Sequence, residues 1–323
     1  MAKSEVTDDE FEIIWLDSNC SPQTVSEELK IALRNVYARR ERMEKKGYSL
    51  PSICRSPGSS RQAWHYSRCV NVRLEGASIL IGGDAHKWPG SPLPIWQAFC
   101  AVAEEVKPDT VVINGDQIDG ARISRHGRSP GQTPSLAEEI AATREDFALL
   151  PPSPRRFWTM GNHDARVDTY LATHAPEMED YAGSLVDRFT DWSFAWSVMI
   201  NDSIVIRHRF RSGIHAGWNS SLHAGLTTVT NHTHQLECKP VVDMRGTRYG
   251  IETGMLGDPM GPQFQYGEGS PNRHRAGFVL LTFDSAGDLL PPELCEWRNG
   301  AAWFRGKTWA AKPRVRVQAG RAA

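Results

Sequence analysis

Short runs of consecutive apolar residues, each ending at glycine or at a cluster of polar side chains, recur through the middle of the chain. Residues 77–81, 110–113, 157–160, 203–206 and 227–230 read as buried strands, and 277–283 and 293–304 as later strands that close a sheet. Between them the apolar residues switch to helical spacing. In 94–106, Ile95, Trp96, Phe99, Val102, Ala103 and Val106 form one stripe. In 135–150, Leu136, Ile140, Phe147 and Leu150 do the same, and 220–226 reads as a short helix. Buried strands alternating with helices predict an α/β fold whose sheet faces are covered.

The first fifty residues follow another pattern. Ser21 and Pro22 start a helix over 21–29, 30–32 is a turn, and 33–46 is a second helix with Leu33, Val36, Tyr37 and Met43 on one narrow stripe. The remaining surface of that helix is basic. Two short helices, a turn and a basic second helix resemble a helix-turn-helix, whose second helix enters the major groove; Lys30 stands where such turns often carry Gly. Arg34, Arg39, Arg40 and Arg42 are the candidate DNA contacts. The alternative is a helical hairpin with a solvated basic face, docked on the main domain or on a partner. Pro51, Pro57, Gly58, Ser59 and Ser60 then mark a linker. The organisation read from the chain is a helical module at 1–50, a linker at 51–72, a main domain at 73–305 and a basic, disordered tail at 306–323.

Composition changes this picture little. Of 323 residues, 40% are hydrophobic and 23% charged, as in ordinary globular proteins, and a net charge of -1 leaves no global attraction to nucleic acid or membrane. The six cysteines are scattered without a CxxC pair, which points to free thiols in a reducing compartment. No signal-peptide core opens the chain and no apolar run is long enough to span a bilayer, so the expectation is a cytoplasmic protein with no membrane partner.

The chemistry sits where the strands stop. The first ends in Gly82-Gly83-Asp84-Ala85-His86, the second in Asn114-Gly115-Asp116-Gln117-Ile118-Asp119-Gly120, and the third in Gly161-Asn162-His163-Asp164. The fourth delivers Arg207-His208-Arg209-Phe210 and the fifth Asn231-His232-Thr233-His234. Open α/β sheets bind ligands outside the carboxyl ends of their strands. His232 and His234, two apart on an extended stretch, are expected to face the same side. Each motif alone is an ordinary turn, but five in succession are not.

This series, over roughly residues 77–285, resembles the calcineurin-like metallophosphoesterase superfamily, and the segment from His208 to Gly254 is similar to its phage and prophage members, some of which carry a helix-turn-helix in front. The resemblance implies a four-layer α/β/β/α sandwich of two mixed sheets and a pair of divalent transition-metal ions, manganese foremost, with iron, zinc or nickel as alternatives. It implies that Asp84, His86 and His234 hold one metal, that Asn162, His208 and His232 hold the other, and that Asp116 bridges them. It makes His163 the catalytic histidine and Asp119 the carboxylate that orients it. Arg122, Arg125, His126, Arg166, His215 and Asn219 are candidate substrate contacts. Asn231 stands where the family usually has Gly, and its tolerance of left-handed backbone is expected to save that turn. The implied reaction is phosphoester hydrolysis by in-line attack of metal-activated water, on nucleic acid in the first reading. The alternatives are a phosphatase or phosphodiesterase for protein or small-molecule esters, and a DNA-binding regulator with an inactive phosphoesterase domain.

Overall fold

The computed structural model describes residues 6–18, 22–48, 50, 66–90, 93–124, 133–178, 182–267 and 273–310. They fall into two compact units, 1–63 and 64–323.

The first unit has three helices, α1 (Asp8–Asp17), α2 (Pro22–Leu29) and α3 (Leu33–Lys45). α1 was not expected, although its Phe11, Ile14 and Trp15 have helical spacing, and Thr7 and Glu10 form a reciprocal cap at its start. Phe11, Trp15, Val25, Val36, Met43 and Leu50 make a small core. Tyr37, expected on the inner stripe, is instead exposed, because α1 packs nearer Val36 and Met43. The basic face of α3 is divided. Arg39 donates to the Val6 carbonyl and to Asp8 and lies over Phe11; Arg40 pairs with Glu44 and lies over Trp15. Arg34 and Arg42 remain exposed.

The second unit contains α4 (Pro94–Val106), α5 (Leu136–Phe147), α6 (Arg166–His174) and α7 (Ala216–Ala224). Its strands are β1 (Val70–Val72), β2 (Ser78–Gly82), β3 (Thr110–Asn114), β4 (Arg155–Thr159), β5 (Ser193–Ala195), β6 (Val198–Ile200), β7 (Ile204–Ile206), β8 (Thr227–Thr230), β9 (Leu236–Asp243), β10 (Gly246–Thr253), β11 (Gly277–Thr282), β12 (Glu293–Arg298), β13 (Ala301–Phe304) and β14 (Lys307–Ala310). One mixed sheet runs β14-β13-β12-β11-β2-β3-β4-β5 and the other β1-β6-β7-β8-β10-β9.

Alternation along the strands sets the layers. Ile79, Ile81, Val112, Val279 and Leu281 of the larger sheet interdigitate with Val198, Ile200, Ile206, Val229 and Ile251 of the smaller one. Their neighbours Leu80, Val111, Ile113, Phe278 and Leu280 face the other way, onto Trp96, Phe99 and Val102 of α4 and onto Phe147. α7 covers β8, β9 and β10. The result is helix, sheet, sheet, helix.

Three boundaries differ from expectation. β1 falls within the stretch read as linker and pairs with β6. The span 293–304 is two strands, because Asn299 and Gly300 take left-handed angles and turn the chain back. The stretch from Gly306 begins as β14, paired with β13 and tied by Lys307 to Glu105; residues 311–323 lie outside the described residues.

Candidate metal centre

β2, β3 and β4 are parallel neighbours, so the loops after them leave from one edge of the larger sheet. β7 and β8 are parallel neighbours in the smaller sheet and release His208 and His232–His234 together. The backbone then bends sharply. Asp84 (φ 50°), His86 (42°), Asp116 (48°), His232 (67°) and His234 (57°) are all left-handed. For a residue with a Cβ this conformation costs roughly 1–2 kcal/mol. It persists because neighbouring loops hold it: Asp84 N–H donates to the Gly115 carbonyl at 2.8 Å and His86 N–H to the Asp116 carbonyl at 3.0 Å. Such strain gathers where side chains must be aimed. The loops also approach too closely for any side chain. A Cβ at Gly161 would stand 2.0 Å from Asp116 Oδ1, and one at Gly115 2.3 Å from the His208 ring.

Asn231 is not left-handed, contrary to expectation. Its side chain holds the turn instead. It accepts from Asn114 Nδ2 at 2.9 Å and from Thr253 Oγ1, and donates to the Gly254 carbonyl at 3.0 Å. Glycine could not make this bridge. The left-handed angles fall on the two histidines, and they send His232 and His234 to different clusters rather than to one side.

Three sets of ligand atoms come together, each within 4.8 Å: Asp84, His86 and His234; His86, Asp116 and His163; Asp116, His208 and His232. The shared members make them one continuous centre. His86 Nε2 lies 3.1 Å from His234 Nε2 and 3.7 Å from Asp84 Oδ1, and His208 Nε2 lies 3.0 Å from Asp116 Oδ2.

Proton placement leaves lone pairs pointing inward. His86 Nδ1–H donates to Asp119 Oδ1 at 3.0 Å, and His208 Nδ1–H to the Asn114 carbonyl at 2.9 Å, freeing both Nε2 atoms for a cation. Asp84 Oδ1, Asn162 Oδ1 and His208 Nε2 are buried without a hydrogen-bond partner among the described residues. Buried polar atoms are rarely left so; Asp84 and His208 belong to the linked clusters and Asn162 lines the same cleft as His208, an arrangement that fits a bound ion. Electrostatics agrees. Burial opposes ionisation of Asp84, but the facing His234 and His208 outweigh it and hold its carboxyl well below the usual range. Burial pulls the His86 imidazole down, yet Asp119 and Asp84 raise it to about 10; against the same burial, Asp116 and Asp84 raise His208 to about 9. The carboxylates thus demand positive charge. Burial pushes His232 down to about 4, so its ring stays neutral and able to ligate. Residues of this kind, mixed nitrogen and oxygen donors, could hold divalent transition metals.

Two acids support the loops. Asp164 is fully buried and accepts from the backbone N–H groups of Asp116 (2.8 Å), Gln117 (3.0 Å) and Gly161 (3.0 Å) and from the Trp158 indole (2.9 Å). Burial and the adjacent Asp116 push its carboxyl up to about 6, against the pull of Trp158 and Gly161. Glu139 on α5 accepts from the N–H groups of Asp119, Gly120 and Ala121. Neither role was expected. Glu139 left a trace, since Glu139, Thr143 and Asp146 recur at helical spacing on a face otherwise read as apolar, and all three are buried.

A family profile for calcineurin-like phosphoesterases matches residues 77–241, just over half of the chain. The chain belongs to the calcineurin-like phosphoesterase family. Among proteins similar to it, the Gene 54 proteins of Mycobacterium phages L5 and D29 are each 26% identical, over 64% of this chain and 88% of their own lengths. A metallophosphoesterase from Sphaerobacter thermophilus aligns with a TM-score of 0.35 and 17% identity, over 69% of this chain and 89% of its own. This calcineurin-like phosphoesterase is therefore a hydrolase of phosphoester bonds with residue clusters able to bind metal ions.

Within this phosphoesterase His163 belongs to the middle cluster, with His86 and Asp116. Its Nδ1 lies 2.9 Å from the Asp119 carbonyl and 3.0 Å from Asp119 Oδ1, so Asp119 contacts both His86 and His163. Arg166 donates to His163 Nε2 at 3.0 Å and to the Asp119 carbonyl at 2.7 Å, which brings it to the centre. Arg122 turns to the Thr133 carbonyl. His215 and Asn219 lie exposed at the start of α7, with His215 beside Lys239, and neither has a contact with the clusters. Arg125 and His126 lie outside the described residues. His274, read as structural, packs edge-on 4.4 Å from the His234 ring and belongs to the wall of the centre. No described helix is long and apolar enough to cross a membrane.

Proposed function

We propose that this phosphoesterase works with two divalent cations and cleaves phosphodiester bonds of nucleic acid in the host cytoplasm. The observation that carries the reading is that Asp84 Oδ1 and His208 Nε2, buried without a hydrogen-bond partner among the described residues, belong to clusters linked through His86 and Asp116, with the equally unpartnered Asn162 Oδ1 on the cleft beside His208. In it Asp84, His86 and His234 would hold one ion and Asn162, His208 and His232 the other, with the Asp116 carboxylate shared between them. Such a pair acidifies a water and neutralises phosphoryl oxygens. The neutral amide of Asn162 adds a ligand without adding negative charge. His163 gives a hydrogen bond and then a proton to the leaving oxygen, in place of its contact with Arg166. Asp119 orients the His163 ring and Arg166 turns to the phosphate. Manganese is the first metal to test.

Hydrolysis of an oligonucleotide, a nitrophenyl phosphodiester, a nitrophenyl phosphomonoester and a phosphopeptide, with manganese restored after chelation, tests the substrate class. Preference for the oligonucleotide is expected; preference for either monoester places the enzyme among the phosphatases. His163→Ala is expected to keep its metals while turnover falls about 10²–10⁴-fold. An unchanged rate removes His163 from the reaction.

The phage relatives and the exposed Arg34 and Arg42 support a DNA contact by the first unit. Engagement of two phosphates by the full chain predicts a loss of affinity for duplex DNA of about ten-fold between roughly 50 and 200 mM salt. Arg34→Glu with Arg42→Glu is expected to flatten that response. A wild-type response already flat assigns the unit to protein docking.

A further inference from the structure

Beside Asn162 and His208 the second unit opens a cleft of about 320 Å³ that the reaction described above does not use. Arg207 and Arg209, the residues on either side of His208, both line it, and Trp196 and Met160 give it an apolar wall. Neither arginine has an ion pair or a side-chain hydrogen bond among the described residues, although acids pair with arginines elsewhere on this surface, as at Arg248–Asp243 and Arg305–Glu293. Arg207 is half-buried, its Nε is buried without a partner, and its guanidinium rests 4.9 Å from the Phe210 ring centroid. Two neighbouring guanidinium groups with no counter-charge, one of them withdrawn from water, make an unfavourable arrangement unless an anion joins them.

We propose that this cleft is a second phosphate subsite. Arg207 and Arg209 hold a phosphate that is not cleaved, next to the one at Asn162 and His208, and the Trp196 wall receives the sugar or base between them. The substrate is then a polynucleotide, whose backbone repeats phosphates at fixed spacing, rather than an isolated phosphoester. This rests on the proposed metal centre and gives the nucleic-acid reading a built place for the neighbouring phosphate. It also gives these two arginines a use that metal binding and proton transfer leave open. Planar guanidinium groups suit phosphate oxygens because they offer paired donors in a fixed fork.

The test is titration calorimetry on the manganese-loaded full chain with hydrolysis-resistant ligands. These are a dithymidine with one backbone phosphorothioate, a trithymidine with two, and imidodiphosphate set against thiophosphate. Wild type is expected to bind the trithymidine at least about ten-fold tighter than the dithymidine, the gain typical of one charge-assisted contact. The variant Arg207→Ala with Arg209→Ala is expected to lose that gain while its melting temperature and metal content stay those of wild type. Arg209→Ala alone, at an exposed position, is expected to lose part of it, so a folding defect in the double variant does not decide the matter. An equal gain in wild type and both variants, or no gain in wild type, overturns the proposal. An arginine-dependent gain for imidodiphosphate and none for the trithymidine overturns the polynucleotide assignment. Failure of the parent reading looks different: manganese does not bind, or wild type hydrolyses no phosphodiester at all.

Discussion

Asp116→Asn is expected to lower hydrolysis by more than about 10³-fold while the protein still melts cooperatively. Outer-shell partners of metal ligands are each worth about 10–100-fold, and a carboxylate facing both clusters should exceed that. The geometry explains why no neighbour replaces it. Asp116 Oδ2 stands 3.0 Å from His208 Nε2 and 3.9 Å from His163 Nε2, and its Oδ1 accepts the His163 N–H at 2.7 Å. Asparagine keeps the size and one oxygen but loses the charge that, despite burial, His208 and His163 hold ionised well below the usual carboxylate range. The rate of the purified variant against wild type, at saturating manganese, checks this. A rate within ten-fold of wild type denies Asp116 the bridging place.

Asp164→Ala is expected to be the most damaging single change to stability outside the apolar core. Removing the carboxylate strands the Asp116, Gln117 and Gly161 N–H groups and the Trp158 indole, all buried. Each buried donor left without an acceptor costs roughly 1–3 kcal/mol, so the summed loss is several kcal/mol. For a unit of this size that lowers the melting temperature by roughly 10 °C. The loss is not confined to stability, because Asp164 ties the loop after β3 to the turn after β4, and those segments carry Asp116, Asn162 and His163. Thermal unfolding followed by calorimetry gives the first effect and manganese affinity the second. A melting temperature within about 2 °C of wild type shows that other groups pin the loops.

The strands and the candidate ligands at their ends were legible for one reason. Each apolar run is buried on both sides of its sheet, so the pattern is continuous, and the polar residues begin where the sheet stops. Asp84, His86, Asp116, Asn162, His163, His208, His232 and His234 therefore announce themselves. What could not be read was carried by backbone geometry and by distant pairing. The resemblance already divided His232 from His234, but the extended-strand reading put them on one side, because two left-handed angles are not forecast by the neighbouring residues. The tasks of Asp164 and Glu139 depend on N–H groups up to 48 residues away. Arg39 and Arg40 were read as a free basic surface because α1, which they hold, begins with acids and was not recognised as a helix. The β9–β10 hairpin escaped because its outer strand is mixed in polarity, with Val242 and Met244 exposed at the turn.

Anomalous diffraction from crystals grown with manganese tests the central claim most directly. Two peaks are expected, about 3.5–4 Å apart, one among Asp84, His86 and His234, the other among Asn162, His208 and His232, with the Asp116 carboxylate between them. A single peak, none, or peaks away from these side chains contradicts the account.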